Sequence, residues 1–172
     1  MFDIKSQLKN YFFKKKLTVD APLTPFRELP DIWIGDQKNG KKILKKINSY
    51  HEIFGLNSFI FLRDLKSLGK LETRSMARKI VEMWINQNKN FFSSSFQIVS
   101  ISKRIVNICL TYSWFAKSGS QEFKKKLLKF LCQQLKIQEF NLESSNNADE
   151  VFEIYKSLII GNIFLFGEKE KI

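Results

Sequence analysis

Shortages of particular residue types exclude several classes of protein. The 172-residue chain has two cysteines, Cys109 and Cys132, and one histidine, His51, so cysteine and histidine supply no ligand set for a structural zinc ion. The seven glycines are scattered and do not form the Gly-rich loop that cradles phosphates. Each cysteine lies inside an apolar helical pattern, which is typical of a buried structural thiol. We therefore predict neither a metal nor a cofactor.

Long apolar runs are also missing. The longest, residues 158–166, is interrupted by Gly161 and Asn162 and is far shorter than the roughly 20 residues that span a bilayer. Residues 1–16 interleave lysines with phenylalanine and tyrosine, so they lack the continuous apolar segment of a secretory signal peptide. We expect no transmembrane segment and, by default, a cytoplasmic protein.

Acidic residues are scarce relative to basic ones. Lysine and arginine number 29 against 17 acidic residues, which gives a net charge of +12 and an isoelectric point of about 9.7. Such a charge favours a polyanionic partner, either nucleic acid or an acidic polysaccharide. Most of the positive charge is lysine, and it accompanies many asparagines, isoleucines and phenylalanines. A compositional bias of the source explains that pattern equally well, so charge alone does not identify the partner.

Apolar residues at helical spacing are abundant. They make up 44% of the chain, enough for a folded core. Between Ser58 and Asn88 they recur every three or four residues, which predicts two amphipathic helices; the positions are Phe61, Leu65 and Leu68, then Ala77, Ile80, Val81 and Trp84. Gly69 lies where the first helix should end, and the short loop after it predicts antiparallel packing of the pair.

The same construction continues along the second half of the chain. Residues 98–115 predict a long helix with apolar residues on two sides, packed between neighbours. Ser120, followed by an acidic first turn, predicts a capped helix start. That helix should run to about Phe140, and the polar segment Asn141–Asn147 should form a loop.

A last helix should end near Gly167. Its predicted buried residues are Val151, Ile154 and Leu158, with Ile159 as a further candidate. No stretch of the second half alternates apolar and polar residues as a half-buried strand would. The fold prediction is therefore all-α, built from antiparallel helical hairpins.

Residues 1–48 differ from the helical domain predicted for residues 49–172. Phe2 to Lys15 predicts a basic amphipathic helix, either docked on its own domain or attached to an anionic surface; its apolar side comprises Ile4, Leu8, Tyr11 and Phe12. All three prolines, Pro22, Pro25 and Pro30, lie between Val19 and Gly35, which predicts an extended connector. We expect Trp33 and Ile34 to anchor this connector to the core.

Two further segments follow the connector. Gln37 to Ile47 is a very basic helix candidate, and its cluster of Lys41, Lys42, Lys45 and Lys46 is expected to form a solvated face. Tyr50 to Leu56 is predicted to be either a short strand or a loop.

Catalytic constellations are not apparent in the sequence. His51, beside Glu52, is expected to be an ordinary surface histidine. Arg63 and Asp64 are adjacent on a predicted helix and should therefore point to different faces and not pair. Arg104 lies in an apolar helix, so it must reach solvent or find a partner. Together with Trp84 and Trp114 it is a candidate for lining a sugar- or nucleotide-binding groove, although core packing is the favoured role for both tryptophans.

The sequence resembles the N-terminal helical region of the heparinase II/III-like polysaccharide lyases over roughly residues 30–170. The resemblance lies in the order and spacing of several segments, and no single one is diagnostic. These segments are Trp33–Asp36 with Gly40, Phe59–Gly69 (FIFLRDLKSLG), Ala77–Ile85 (ARKIVEMWI), Lys103–Leu110 (KRIVNICL), Phe123–Leu135 and Tyr155–Lys169.

The resemblance implies an incomplete α/α toroid followed by a large antiparallel β-domain, and cleavage of uronate glycans by β-elimination. In that family one group neutralises the uronate carboxylate, a tyrosine or histidine removes the C5 proton, and an acid protonates the leaving oxygen. The asparagine, tyrosine and histidine with these roles lie beyond the last residue of this chain, and His51 falls outside every matching segment. We therefore predict no catalytic residues and no turnover by this chain alone.

The leading hypothesis is a truncated or split lyase-family polypeptide, whose expected partners are an acidic polysaccharide and a separately encoded catalytic portion. The alternative is a small basic helical protein that binds nucleic acid or an anionic membrane surface, although no nucleic-acid-binding signature supports the first of these. A structural helical domain without a ligand is the third reading. An unfinished toroid would leave an apolar helix face uncovered, which predicts association or poor solubility.

Overall fold

The computed structural model describes residues 15–91 and 93–167, and within them it contains six α-helices and no β-strand. The all-α prediction is therefore confirmed, while the arrangement as part of a toroid and the division at residue 48 stay predictions. Residues 2–14 of the predicted N-terminal helix lie outside the described ranges. The helices are α1 (Gln37–Lys45), α2 (Phe61–Lys66), α3 (Leu71–Gln87), α4 (Ile98–Phe115), α5 (Gln121–Ser144) and α6 (Ala148–Phe166).

Helix α4 is the centre of the core. It contacts α2, α3, α5 and α6, and the two apolar sides predicted for it are both covered. Ile101, Ile105 and Ile108 are fully buried, and so is the polar Thr111, whose hydroxyl donates to the carbonyl of Asn107 at 2.6 Å. Because α4 is enclosed on most of its circumference, the four helices α2, α3, α5 and α6 are positioned largely by how they pack on it.

The segment before α3 contains the main difference from the predicted helix pair. Helix α2 begins at Phe61, because Phe59 has a left-handed backbone (φ 57°) and follows a 3₁₀ turn over Leu56–Ser58. The strand alternative for residues 50–56 is wrong, since Ile47–Glu52 is also a 3₁₀ segment. Gly69 has φ 67° and lies after the end of α2 as predicted, in the conformation that glycine adopts most cheaply.

Capping residues fix where several helices begin. The carboxylate of Asp36 accepts from the backbone N–H groups of α1, and the hydroxyl of Ser120 accepts from Phe123 N at 3.2 Å, as its predicted role requires. Helix α5 runs to Ser144, four residues beyond its predicted end. The amide of Asn141 donates to Gln138 Oε1 at 2.7 Å, so this polar residue is held along the helix instead of starting a loop.

Helix α6 buries the face predicted for it apart from Ile159, with Val151 and Leu158 half-buried. Ile154 is fully buried as expected, but Ile159 is half exposed, so its predicted burial is wrong. The face that meets α4 and α5 carries small residues: a Cβ at Gly161 would lie 2.5 Å from Leu135. Small residues let helices approach closely, and this packing turns Ile159 outward.

The connector before α1 is extended, as its prolines predict. Of its two expected anchors, Trp33 stacks against Arg63 of α2, whereas Ile34 makes no such contact. Ile34 is 94% exposed and Trp33 is half exposed, whereas Leu17 and the carboxylate of Asp31 are fully buried. The apolar pair was a reasonable expectation on hydrophobicity alone. Charge pairing to α2, described below, determines the path of the connector instead.

Candidate functional site

The predicted groove of Trp84, Trp114 and Arg104 is absent, because two of its three members are enclosed. Trp84 and Arg104 have no exposed surface, and Trp114 is partly buried against the core. Core packing, the favoured role for the tryptophans, is therefore correct. These residues hold the structure together and do not face a ligand.

Arg104 finds its partners inside the protein. Its Nε and Nη2 donate to Gln134 Oε1 at 3.0 and 2.6 Å, and its Nη1 donates to the carbonyl oxygens of Ser95 (3.1 Å) and Asn57. The guanidinium carbon lies 4.3 Å from the centroid of the Trp84 ring, within the range of a cation–π interaction. Burial lowers the pKa of Arg104 to about 9. This residue ties the 3₁₀ turns at Asn57 and Ser95 to α4 and α5.

The connector docks on α2 through very close backbone contacts. A Cβ at Gly35 would lie 2.1 Å from the carbonyl oxygen of Arg63, and one at Gly40 would lie 2.4 Å from that of Asp64. The backbone N–H of Asp36 donates to Asp64 Oδ1 at 2.8 Å. The segments Trp33–Asp36 with Gly40 and Phe59–Gly69 therefore meet in space.

Arg63 and Asp64 have separate partners, as predicted from their adjacent positions on a helix. Arg63 Nε lies 3.6 Å from Asp31 Oδ1, and its guanidinium stacks over the Trp33 ring at 4.5 Å. Lys66 Nζ lies 3.1 Å from the other Asp31 oxygen. Burial lowers the pKa of Arg63 despite the opposing charge of Asp31, so the buried Asp31 carboxylate is compensated by two cations.

The docking of α1 creates an open cleft of about 410 Å³, which we call the basic cleft. One wall comes from α1, the other from the segment that follows the 3₁₀ turn at residue 52, and Asp64 of α2 contributes to the lining. Its residues are Asn39, Lys42, Ile43, Lys46, Glu52, Ile53, Phe54 and Asp64. Phe54 is 81% exposed, so its ring is accessible to solvent at the edge of the cleft.

Lysines cover the side of α1 that faces away from the core. Successive helical residues turn by about 100°, so Gly40 and Ile43, which are buried, lie opposite the lysines. Five of them form one continuous strip that reaches the mouth of the basic cleft: Lys38, Lys41, Lys42, Lys45 and Lys46, all of them exposed. The solvated face predicted for this cluster is confirmed.

Two carboxylates at the basic cleft have opposite environments. Lys46 Nζ lies 2.9 Å from Glu52 Oε2, and this hydrogen bond with its charge lowers the pKa of the exposed Glu52. Burial raises the pKa of Asp64, although the N–H of Asp36 partly opposes the shift. Glu52 is therefore the charged partner of Lys46. Asp64 is a buried acceptor that holds the backbone N–H of Asp36.

The lining of the basic cleft combines two lysines, Lys42 and Lys46, with two carboxylates, Glu52 and Asp64. His51 is exposed next to Glu52 and is not among the residues that line the cleft. Residues 15–91 and 93–167 contain no group of three histidines, cysteines or carboxylates that could hold a metal ion. Sequence reasoning found the lysines of this site from their clustering, but it missed Asn39 and Phe54, because their exposure depends on how α1 docks.

Comparison of the chain with protein-family models, with curated proteins and with solved structures found no match. None of the helices in the described ranges combines the length and apolar character needed to cross a bilayer.

Proposed function

We propose that this chain is a non-catalytic helical module that holds an acidic, uronate-containing glycan at the basic cleft. The observation that carries the proposal is the strip of five lysines on α1, which ends at a cleft with the exposed ring of Phe54 on its opposite wall. Ligand sites are commonly apolar clefts with a few convergent polar groups, and a uronate polymer offers matching chemistry.

The two walls suit the two kinds of surface on an acidic sugar. Lys42 presents its ammonium group to the carboxylates along the polymer. Lys46 does the same when a sugar carboxylate takes the place of Glu52, its partner at 2.9 Å. Phe54 and Ile53 present apolar surface to the C–H faces of the sugar rings. Lysine is a mobile point charge rather than a rigid fork, so such contacts tolerate different spacings of the carboxylates.

The family resemblance supports the same proposal. The Trp33–Asp36 and Phe59–Gly69 segments hold α1 on α2 and thereby form the cleft. In this reading the chain contributes a helical part of a lyase-type toroid, and β-elimination belongs to a separately encoded catalytic portion. The toroid and that partner are part of the proposal.

An anionic membrane surface is a second candidate because of one specific feature. Ile32, Trp33 and Ile34 are consecutive and exposed, and they directly precede the lysines of α1. Exposed apolar and aromatic residues beside a basic cluster are typical of proteins that bind anionic lipid surfaces. The cleft is not required for this function, so variants of Phe54 and Trp33 distinguish the two candidates.

The test is binding of the purified chain to alginate, duplex DNA and anionic vesicles over a salt series. We expect preferential binding to alginate and a loss of at least about tenfold in affinity, or 1.4 kcal/mol, in K42Q/K46Q and in F54A. The matched control is K125Q/K129Q, which removes two exposed lysines from α5 and should have little effect.

Three results would count against the glycan proposal. Equal loss of affinity in the α5 control, or equal affinity for all polyanions with steep salt dependence, would indicate attraction by net charge alone. Binding to vesicles that is lost in W33A but not in F54A would instead favour the membrane candidate.

A further inference from the structure

Glu52 places a carboxylate of the protein itself on one of the lysines of the basic cleft. Its Oε2 accepts a hydrogen bond from Lys46 Nζ at 2.9 Å, and both residues line the cleft. The other carboxylate in the lining, Asp64, is buried and accepts the backbone N–H of Asp36. Among the residues that line the cleft, Glu52 is therefore the acid that already occupies a solvent-facing ammonium group.

The other lysines of the strip on α1 are not occupied in this way. Within the ranges 15–91 and 93–167 no carboxylate forms an ion pair with any of the remaining four, which are Lys38, Lys41, Lys42 and Lys45. A polyanion that lies along the strip therefore meets four available cations and one that the protein has already paired.

The local structure lets the side chain of Glu52 move while its backbone stays in place. The 3₁₀ segment Ile47–Glu52 carries the chain from the end of α1 to this residue, and the adjacent Ile53 is buried in the core. The side chains of Lys46 and Glu52 are each about half exposed, so water can solvate both groups when they separate. Because so exposed an ion pair contributes little to stability, its separation should leave the fold intact.

We propose that Glu52 is a built-in competitor for anionic ligands, which pairs with Lys46 until a carboxylate of the bound glycan replaces it. This inference rests on the proposed function, because it concerns the same cleft. The exchange involves no covalent step: one ion pair replaces another, and the released carboxylate turns to solvent. An anion that contacts only Lys46 gains one ion pair at the loss of another. An extended polymer that also contacts the unpaired lysines is therefore favoured over a single acidic sugar.

The affinity of E52Q for alginate, measured by isothermal titration calorimetry at one fixed salt concentration, tests the competition. We expect an affinity about two- to fivefold higher than that of the parent, which is the range that the coupling of an exposed ion pair allows. The matched control is E139Q, which removes a carboxylate from an exposed position on α5. It changes the net charge equally and should have a smaller effect.

A double-mutant cycle assigns the gain to Lys46. In a chain that carries K46Q, the further change E52Q should raise the affinity no more than E139Q does, because the lysine for which Glu52 competes is gone. The same gain with and without K46Q would overturn the proposal, since it would show that Glu52 acts through net charge.

Dextran sulfate, an anionic polymer without carboxylates, separates this inference from the proposed function. Equal affinity of the parent for alginate and dextran sulfate would count against glycan recognition, but the gain of E52Q over E139Q should then persist with both polymers. Equal affinities of E52Q and E139Q would overturn the role of Glu52, while the glycan proposal would still stand on K42Q/K46Q and F54A. If neither the parent nor E52Q binds either polymer, both proposals are overturned.

Discussion

The buried carboxyl group of Asp64 stabilises the fold through a hydrogen bond, although burial disfavours its charged form. Its Oδ1 accepts the backbone N–H of Asp36, the residue that caps α1, so a buried carboxylate sets the position of the lysine-bearing helix. Burial raises the pKa of this carboxyl group. The hydrogen bond needs an acceptor oxygen, but it does not need a charge.

Substitution of Asp64 separates these two contributions. Because its pKa is raised in the folded state, the folded chain binds this proton more readily than the unfolded chain. Its contribution to stability is therefore highest at acid pH and falls as pH rises through the raised pKa. We expect D64N, which keeps an acceptor, to match or exceed the parent's free energy of unfolding at neutral pH, by up to about 1 kcal/mol. That advantage should vanish below the ordinary carboxyl pKa of about 4.

D64A is the matched comparison for this prediction. It leaves the Asp36 N–H without its partner and should lose about 1–3 kcal/mol at either pH. Urea unfolding at the two pH values measures both variants. Equal destabilisation by D64N and D64A at neutral pH would show that the carboxylate charge stabilises the fold, contrary to this interpretation.

Single residues were predictable from the sequence where the local pattern determines their environment, and unpredictable where a distant partner does. The burial of Ala77, Ile80, Val81 and Trp84 follows from helical spacing alone. The requirement that Arg104 find a partner was also clear, but its acceptors are 9 to 47 residues away along the chain. The exposure of Ile34 was missed, because Asp31 pairs with Arg63 and Lys66 and fixes the connector nearby.

At the scale of elements, the contact between α1 and α2 is the one on which the basic cleft depends. Two glycines allow the close contact between the connector, α1 and α2, since a Cβ at Gly35 or Gly40 would overlap backbone atoms of α2. Backbone atoms cannot move aside as a flexible side chain does. The spacing of Gly35 and Gly40 therefore has a physical explanation in this chain.

Alanine substitutions test this contact. We expect G35A and G40A each to lose about 1–3 kcal/mol through overpacking, even though alanine at position 40 has the higher helix propensity. Amide exchange should accelerate across Gln37–Lys45 and leave α4 protected. G69A is the control: its φ of 67° imposes strain of about 1–2 kcal/mol, but no atom lies within 4 Å of the added Cβ. Slow exchange across α1 in G40A would contradict the proposed role of the glycine.

Helix boundaries show what sequence patterns can determine at this scale. The bounds of α4 and α6 were predicted within a few residues, because apolar spacing and an adjacent glycine marked them. The extension of α5 to Ser144 was missed, since Asn141 favours turns in general but here donates to Gln138. The outward face of α6 was assigned incorrectly at Ile159, because the contact made by Gly161 depends on packing and not on hydrophobicity.

At the scale of the whole molecule, the charge of +12 has no single interpretation until its distribution is known. The all-α class followed from periodicity and was predictable. The concentration of five lysines beside one cleft was partly predictable, because four of them are clustered in the sequence. The cleft itself was not, since it exists only when residues around 39–46, 52–54 and 64 come together.

Binding without cleavage is the behaviour expected of the whole chain. Because a ligand that binds only the folded state stabilises it, alginate at about 100 times its dissociation constant should add about 2.7 kcal/mol. For a chain of this size that corresponds to an increase of about 5–10 °C in the thermal midpoint. Differential scanning fluorimetry should show the shift for the parent and for K125Q/K129Q, and a smaller one for K42Q/K46Q.

The same samples should show no rise in ultraviolet absorbance from new carbon–carbon double bonds. β-Elimination needs a base placed at the C5 proton and an acid at the leaving oxygen. At the basic cleft, Glu52 is paired with Lys46 and Asp64 holds the N–H of Asp36. The lowered pKa of Glu52 makes it a weak base, and Asp64 is engaged by the backbone, so we expect proton transfer by neither carboxylate. An absorbance increase that persists in K125Q/K129Q and is lost in K42Q/K46Q would show that the chain cleaves its ligand, and it would overturn the assignment as a non-catalytic module.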